Sequence, residues 1–556
     1  MEDSYKIKKT AQKFITSTRD KQLKFRSRLN TQLESIRSNV NNYNTSAGKN
    51  MRKQDNEKEL QQEQVEDFKL EDKRILLLGL DSAGKSILKH IQRMQFNVRS
   101  FDELIEDADI RTREDLQITD FDLIITTSIF GPQDLIIQDA FLNSIPVWSE
   151  LELAWYLRSN SNNTSLPTHW IGITGTSGKS TTIEICNLIF NQAEFKVQVA
   201  SEGSILDAVL NEELDFVIIE VSSFLLHFAY TFSFEVSVIL NINEDHINWH
   251  GSLGEYVNAK SKIFNNTSKS CIFNADDSDL HSIVQEADVV EGARAVGFTH
   301  HSPGRSMVGQ VAGLVTDRAF YGDNTDPLRY LYANEIMDLN EFPQLLNPVE
   351  QLPSYLVDDI VAAVAVARTY GISADDISNA VAKFAYPESS NQLIYERELK
   401  NEIKYGVNSI YYVDNSNSNN PYSAESVIKT YPLRSVVWIS GGDTKGIDYN
   451  LFITHIAPYI SAAIVIGDEM DTIWHALRKY AVELPVYRIE PYPFYNAVTR
   501  ALEKADELVF ENQTILFSPA SRWNYTTQDD LVLQLKEYVQ KLDNKIRETS
   551  MRRGYW

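Results

Sequence analysis

A chain of 556 residues is too long for a single hydrophobic core, and three or four domains is the natural expectation. With 43% hydrophobic and 23% charged residues it has the composition of a soluble globular protein; no run nears the roughly 18 apolar residues of a membrane span, and no signal-peptide pattern opens it. The net charge of −24 argues against nucleic acid as the main partner, and two cysteines, Cys186 and Cys271, supply neither a disulfide framework nor a metal cluster, which suits a reducing cytosol.

Residues 1–70 read as an extension, partly helical or disordered. Residues 1–53 hold 13 Lys/Arg against 4 Asp/Glu, so the remainder is strongly acidic. "NVNNYNTSAGKN" is a polar break, and "EKELQQEQVEDFKLEDK" is charged and helix-prone with little apolar face. A solvated tail is the plain reading; contact of its basic part with an acidic surface or partner is the other. From 73 the texture changes. "RILLLGL" is a buried-strand run that enters the glycine turn "GLDSAGKS" at 79–86 and the helical pattern "SILKHIQRM". Strands follow near "FNVRSFD", "FDLIITTS" and "IPVWSE". Strand, glycine turn, helix and strand within about 30 residues make a βαβ nucleotide-binding unit, predicted over 71–160 and closed by the linker "SNSNNTSLP".

"HWIGITGTSGKSTTIEICNLIF" opens a second strand–loop–helix unit. "LDFVIIEVSSF" and "FEVSVILNINEDH" read as further buried strands with polar residues at their carboxyl ends, the edge where doubly wound sheets bind ligands. "VDDIVAAVAVARTYG" is a helix ending at Gly371, within a central domain predicted over 161–388. The third domain, 389–545, has strands in "IYYVDNS", "SVVWISGG", "AAIVIGD" and "TILFSPAS" and the last helix "DDLVLQLKEYVQKLDNKI". The fold class is therefore α/β with three domains: a Rossmann-like domain, a central P-loop ATPase-type domain with a mostly parallel sheet, and a C-terminal Rossmann-like domain.

Two stretches resemble phosphate-binding loops. "GLDSAGKS" fits the strict pattern Gly-x4-Gly-Lys-Ser; "GTSGKSTT" at 175–182 does not, since Ile173 stands six before its lysine. A phosphate loop works through backbone N–H groups and a helix N-terminus, a lysine that neutralises charge and a hydroxyl for Mg²⁺. The metal shell also needs polar groups from neighbouring strand ends. After the second loop they come in order: Glu220 closes "FVIIE", Glu244, Asp245 and His246 close "VILNINEDH", and Lys260 follows in "EYVNAKSKIF". After the first loop there is no Asp-x-x-Gly signal within the next 60 residues and no Asn-Lys-x-Asp motif anywhere. Chemical context thus assigns the triphosphate to Gly175, Thr176, Ser177, Gly178, Lys179, Ser180 and Thr181.

"TGTSGKSTT", "EVSSF", "NINEDHINWHGSLGEYVNAKSKIF" and "GGDTKGIDY" together resemble the Mur ligases, and among them the D-glutamate-adding members, over about 73–540. The resemblance implies a cytoplasmic enzyme, monomeric by expectation, that uses ATP and Mg²⁺ to join D-glutamate to UDP-N-acetylmuramoyl-L-alanine through an acyl phosphate in peptidoglycan precursor synthesis. It implies that Lys179 reaches the phosphates, that Ser180 and Glu220 hold Mg²⁺, that His246 serves a second Mg²⁺, and that Lys260 matches a carbamylated lysine. Asp414 or Asn415 would contact the ATP ribose or base. Gly79, Leu80, Asp81 and Ser82, with Asp102, Ser222 and Ser223, would face the uridine nucleotide, which makes the P-loop match of Lys85 and Ser86 partly accidental; a second, GTPase-like site and a purely structural turn are the other readings of that loop. Lys445, Asn419 and Ser521 would serve the incoming amino acid.

The chain departs from the family pattern in places. "DNSNSNN" at 414–420 puts Asn417 and Asn419 where lysine and threonine are usual. Gln392 in "NQLI" replaces an arginine, a charge-assisted contact whose loss costs about 1.5–3 kcal/mol. "SEGS" at 201–204 places Glu202 where an amide is expected. These changes bear on substrate specificity and rate, and leave open a Mur-like ligase for another substrate or a nucleotide-binding protein with little activity.

Overall fold

The computed structural model describes residues 69–159, 168–320, 332–399, 408–444, 446–467, 470–490, 492, 494–523 and 528–552. The extension expected at 1–70 lies outside the described residues except for its last two, where a 3-10 turn, Leu70–Asp72, begins. The linker expected after Ser159 and the key lysine expected at 445 also lie outside them.

The first sheet holds β1 (Arg74–Leu78), β2 (Asn97–Phe101), β3 (Leu123–Thr126) and β4 (Val147–Trp148) in the order β2-β1-β3-β4, all parallel. The apolar run "ILLL" of β1 is fully buried, as a parallel strand covered on both faces requires. Helix α1 (Ser82–Arg93) leaves β1 with Asp81 as its N-cap and turns Ile87 and Ile91 inward. Helix α2 (Glu150–Ser159) ends this domain.

The central sheet is built from β5 (His169–Thr174), β6 (Val197–Ala200), β7 (Phe216–Glu220), β8 (Val236–Ile239), β9 (Ser270–Asn274), β10 (Arg294–Phe298), β11 (Met307–Val311), β12 (Leu314–Asp317) and β13 (Asn334–Asp338). Their order is β13-β12-β11-β10-β9-β8-β5-β7-β6, parallel from β6 to β11, with β12 and β13 added antiparallel at the edge. Helices α3 (Lys179–Gln192), α4 (Leu253–Ser261) and α5 (Ser354–Thr369) flank it. Helix α5 is apolar nearly all round because it is buried nearly all round, in one core with α3 and the sheet. Both cysteines belong to this domain, Cys186 in α3 and Cys271 in β9, unpaired and 0% and 2% exposed.

The third sheet holds β14 (Gln392–Leu399), β15 (Asn408–Asp414), β16 (Val436–Gly441), β17 (Ile460–Ile466), β18 (Val486–Ile489) and β19 (Thr514–Phe517). The order is β14-β15-β19-β16-β17-β18, with only β14 antiparallel, and apolar clusters cover both faces. Helix α6 (Pro421–Ile428) follows β15, its N-cap Asn420 accepting from Ser423 N.

First and central domains meet through exchanged carboxylates. Glu150 of the first accepts Gly203 N at 2.5 Å and Leu206 N at 3.1 Å. Glu202 of the central domain accepts Ser128 N at 2.8 Å. Trp249 Nε1 donates to Ser128 O at 2.9 Å, and His90 of α1 pairs with Asp207 at 2.9 Å.

Candidate active site

Strand β5 lies between β7 and β8, whose crossovers leave in opposite directions, so the loop after it opens at the switch point of the central sheet. Gly178 in that loop has φ +83°, and a Cβ there would lie 2.3 Å from Asp359 Oδ1, so only glycine fits. Helix α3 starts at the next residue with no side-chain cap, which leaves its first N–H groups for an anion. Asn241, just beyond β8, clamps the loop: its Oδ1 accepts Thr176 N at 3.1 Å and Ser177 N at 3.0 Å, and its Nδ2 donates to Ser177 O at 3.1 Å. Thr176 Oγ1 bonds Tyr256 OH at 2.8 Å and exchanges bonds with the Asn243 backbone at 2.9 and 3.1 Å. Sequence reading missed Asn241, though its place at the end of the strand beside β5 was the available signal.

Two ammonium groups share one acceptor here. Lys179 Nζ donates to Gly175 O at 3.0 Å, and Lys260 Nζ, from α4, donates to the same oxygen at 2.9 Å and to Thr174 Oγ1 at 3.2 Å. Lys260 is 2% exposed. Burial, then the neighbouring Lys179, hold its amine well below the usual lysine range, opposed by Asp245 and Glu220. At the cleft side Ser180 Oγ donates to Glu220 Oε2 at 3.2 Å. His246 follows Asp245 at the N-terminus of the short helix Ile247–His250. Its ring lies 4.7 Å from that of Phe224, and Nε2 is 3.5 Å from Asp245 Oδ2. The structure thus brings Lys179, Ser180, Glu220 and Lys260 together at the end of β5, with Asp245, the neighbour of His246, also acting on Lys260. Beneath the loop, Asp359 accepts Thr182 Oγ1 at 3.2 Å; its other oxygen is buried without a partner, and burial drives its carboxyl well above the usual range.

A cleft of about 720 Å³ opens over the loop between the central and C-terminal domains. Thr176 to Thr181, Glu220 and Asn274 line one wall; Asn415, Asn419, Tyr422 and Lys429 are among the residues on the other. The side chain of Asn415 is engaged internally, accepting Asn391 N at 3.1 Å and donating to Ser518 Oγ at 3.0 Å. Asp414 is fully buried and accepts Ser416 N at 2.9 Å, behind the cleft wall. Ser521 is also buried: its Oγ donates to Gly441 O at 2.6 Å and fixes the glycine turn that leads to position 445.

The first-domain loop lies at another switch point, after β1. Gly79 has φ +91° and Gly84 has no room for a Cβ, which would fall 2.0 Å from Gly79 O. Asp102 Oδ2 accepts Leu80 N at 2.8 Å and Asp81 Oδ1 accepts Gly84 N at 2.9 Å, while Ser82 and Lys85 are exposed. Ser222 caps the short helix Ser223–His227, and Ser223 Oγ meets His250 Nε2 at 3.0 Å. The rings of Phe224, His227, Trp249 and His250 pack around that contact; burial lowers His227 to about 4 and His250 to about 3.

Among the described residues no three His, Cys, Asp or Glu side chains converge as a ready-made metal site. Ser180 Oγ and Glu220 Oε2 nevertheless offer adjacent oxygens on the cleft side, a donor set that suits Mg²⁺, which takes few protein ligands beside phosphate oxygens and water.

Fold and cleft define the class: a three-domain α/β protein whose glycine loop after β5 faces the C-terminal domain across a cleft. Residues 173–308 match the Mur ligase middle domain. The chain is 32% identical over 402 residues to a UDP-N-acetylmuramoylalanine--D-glutamate ligase of Streptomyces coelicolor, covering 72% of this chain and 80% of that protein. It is 29% identical over 458 residues to a protein of the same name from Bifidobacterium longum subsp. infantis, covering 81% and 93%. In fold it matches a pseudomurein peptide ligase type C from Methanothermus fervidus, with a TM-score of 0.50 at 16% identity over 85% of this chain and 100% of that one. The chain belongs to the Mur ligases, in the family of UDP-N-acetylmuramoylalanine--D-glutamate ligases.

Proposed function

We propose that this protein is an ATP-dependent ligase that joins D-glutamate to UDP-N-acetylmuramoyl-L-alanine in the cytoplasm, releasing ADP and phosphate, as a step of peptidoglycan precursor synthesis. The observation that carries this reading is the convergence of Lys179 and Lys260 on Gly175 O beside the Ser180–Glu220 pair. The names of its relatives support the choice of substrates.

The carboxylate of the nucleotide-linked substrate takes the γ-phosphoryl group, and the amine of D-glutamate then attacks the acyl carbon and expels inorganic phosphate. Such chemistry rests on positioning and charge neutralisation. Lys179, now bonded to its own loop, is the group that turns to the phosphates. Ser180 and Glu220 would hold Mg²⁺, with His246 and Lys260 as its carbamate at a second ion. Mg²⁺ supplies neutralisation of phosphate charge and polarisation of the phosphoryl oxygens. Burial favours the neutral form of the Lys260 amine, the form that adds CO₂ to become that carbamate and sheds a proton. Gly79, Leu80, Asp81, Ser82 and Asp102, with Ser222 and Ser223, would face the uridine nucleotide; Asp414 and Asn415 would border the ATP ribose or base. Lys445 and Asn419 would meet D-glutamate, with Ser521 acting through the Gly441 turn.

A second reading, a Mur-like ligase for another amino acid, draws on the buried Ser521 hydroxyl, whose proton is committed to Gly441 O. Phosphate release with UDP-N-acetylmuramoyl-L-alanine tests both. D-Glutamate-dependent release in the wild type, lost at least about 100-fold in Lys179→Ala, is the expected result. Release with another amino acid and none with D-glutamate selects the second reading, and no release with any amino acid rejects both.

A further inference from the structure

The central domain puts a carboxylate into the first domain's nucleotide edge. Gly203, with φ +90°, packs so closely on α1 that a Cβ would lie 2.7 Å from Ala83 Cα. This seats the preceding residue, Glu202, against the first turn of α1, where its Oε1 accepts Ser128 N just beyond β3 at 2.8 Å. The charges facing it are of its own sign. Asp81, the N-cap of α1, acts on it directly, and Glu150 lies behind it, holding Gly203 N at 2.5 Å. The loop donors Leu80 N and Gly84 N are already taken by Asp102 and Asp81. Lys85 is exposed on α1, and His90, further along the same helix, is engaged by Asp207. A diphosphate docking at residues 79–82 therefore meets carboxylates where an anion site wants donors.

We infer that Glu202 is a specificity-determining residue of the uridine-nucleotide site and that it admits the diphosphate only when neutral, so that substrate capture takes up a proton. The inference rests on the ligase reading above. A neutral Glu202 keeps its carbonyl on Ser128 N–H and turns an O–H donor toward the phosphate oxygens; the ionised form has acceptors only. Burial raises its proton affinity, Ser128 lowers it, and Asp81 raises it again. Glutamine reproduces the neutral form, carbonyl and donor together, at every pH.

The test is direct calorimetry of UDP-N-acetylmuramoyl-L-alanine on the full-length protein between about pH 5.5 and 8.5, a range in which its phosphodiester and carboxylate groups do not titrate. For the wild type the dissociation constant is expected to rise with pH, by up to about tenfold per unit. Glu202→Gln is expected to bind with no such slope and more tightly than the wild type at the alkaline end, and Glu202→Asn to lack the slope as well. ATP affinity of the same variants reports their folding. A glutamine variant that keeps the wild-type slope, or weaker binding by a constant factor at all pH, overturns the inference. Wild-type binding with the expected slope but no phosphate release with any amino acid would reject the ligase reading and leave the role of Glu202 standing.

Discussion

Lys260 shares an acceptor with a second ammonium and has almost no water to spread its charge. Two cations on one carbonyl oxygen is an unfavourable arrangement, and burial, with Lys179 alongside, pushes the Lys260 amine down from the usual lysine range. Replacing Lys260 by alanine is expected to lower kcat by ~10²-fold or more, about 3 kcal/mol of barrier, with a smaller change in ATP affinity. A carbamate resonance from ¹³C-bicarbonate, present in the wild type and absent in the variant, would identify the modified amine; equal spectra would exclude it. Glu150 gives a second handle. It is 1% exposed, and burial raises its carboxyl from 4.5 to about 7, opposed by the backbone donors of Gly203 and Leu206. The folded state thus holds this proton to higher pH than the unfolded chain. The associated stability is complete below pH 4.5 and falls away as pH rises to about 7, by roughly 3 kcal/mol. Denaturant unfolding of Glu150→Gln should therefore gain on the wild type over that interval, and parallel pH profiles would count against the assignment.

The β5 loop and α3 act as one element, and their shape explains why this loop departs from the strict motif. Ile173, where the pattern wants glycine, is a fully buried residue of β5, so the strand runs on and the turn begins later. Asn241 does the holding. The loop at 79–86 satisfies the pattern, yet its own carboxylates take two of its N–H groups. The apolar runs, glycine turns and polar strand ends were legible because they are local. Asn241 lay in such a strand end and was overlooked; Asp359 was out of reach, since it meets Thr182 from 177 residues away and no spacing rule extends so far. The tightest point of the element is Gly178. Alanine there would adopt φ +83° and drive its Cβ onto Asp359, adding about 1–2 kcal/mol of backbone strain to the clash. Gly178→Ala is expected to bind ATP at least about tenfold more weakly by calorimetry, with the loss larger than any change in the uridine-nucleotide site. Unchanged ATP affinity would mean that the loop does not receive the phosphates.

At the scale of the molecule, three mostly parallel sheets follow one another along the chain, and strand-and-helix alternation in the sequence was enough to anticipate that class. Periodicity carried no information about the antiparallel pair β12 and β13, whose short strands look like any hairpin, nor about the carboxylates exchanged between the first two domains. Nothing in the sequence set Glu150 apart, and Glu202 stood out only as an acid where the family pattern has an amide; the packed interface is what makes their charge costly. One asymmetry of the whole has a practical use. Every thiol of the chain sits inside the central domain, Cys186 at 0% and Cys271 at 2% exposure, and burial raises both, Cys271 to about 11. Alkylating reagents should leave the native chain unmarked at neutral pH and add twice once it unfolds. Adduct counting by mass, during mild denaturation, would then time the opening of the ATP-side domain alone, silent to its two neighbours, and bound nucleotide should delay it. Rapid labelling of the native protein would contradict the packing from which this gauge is drawn.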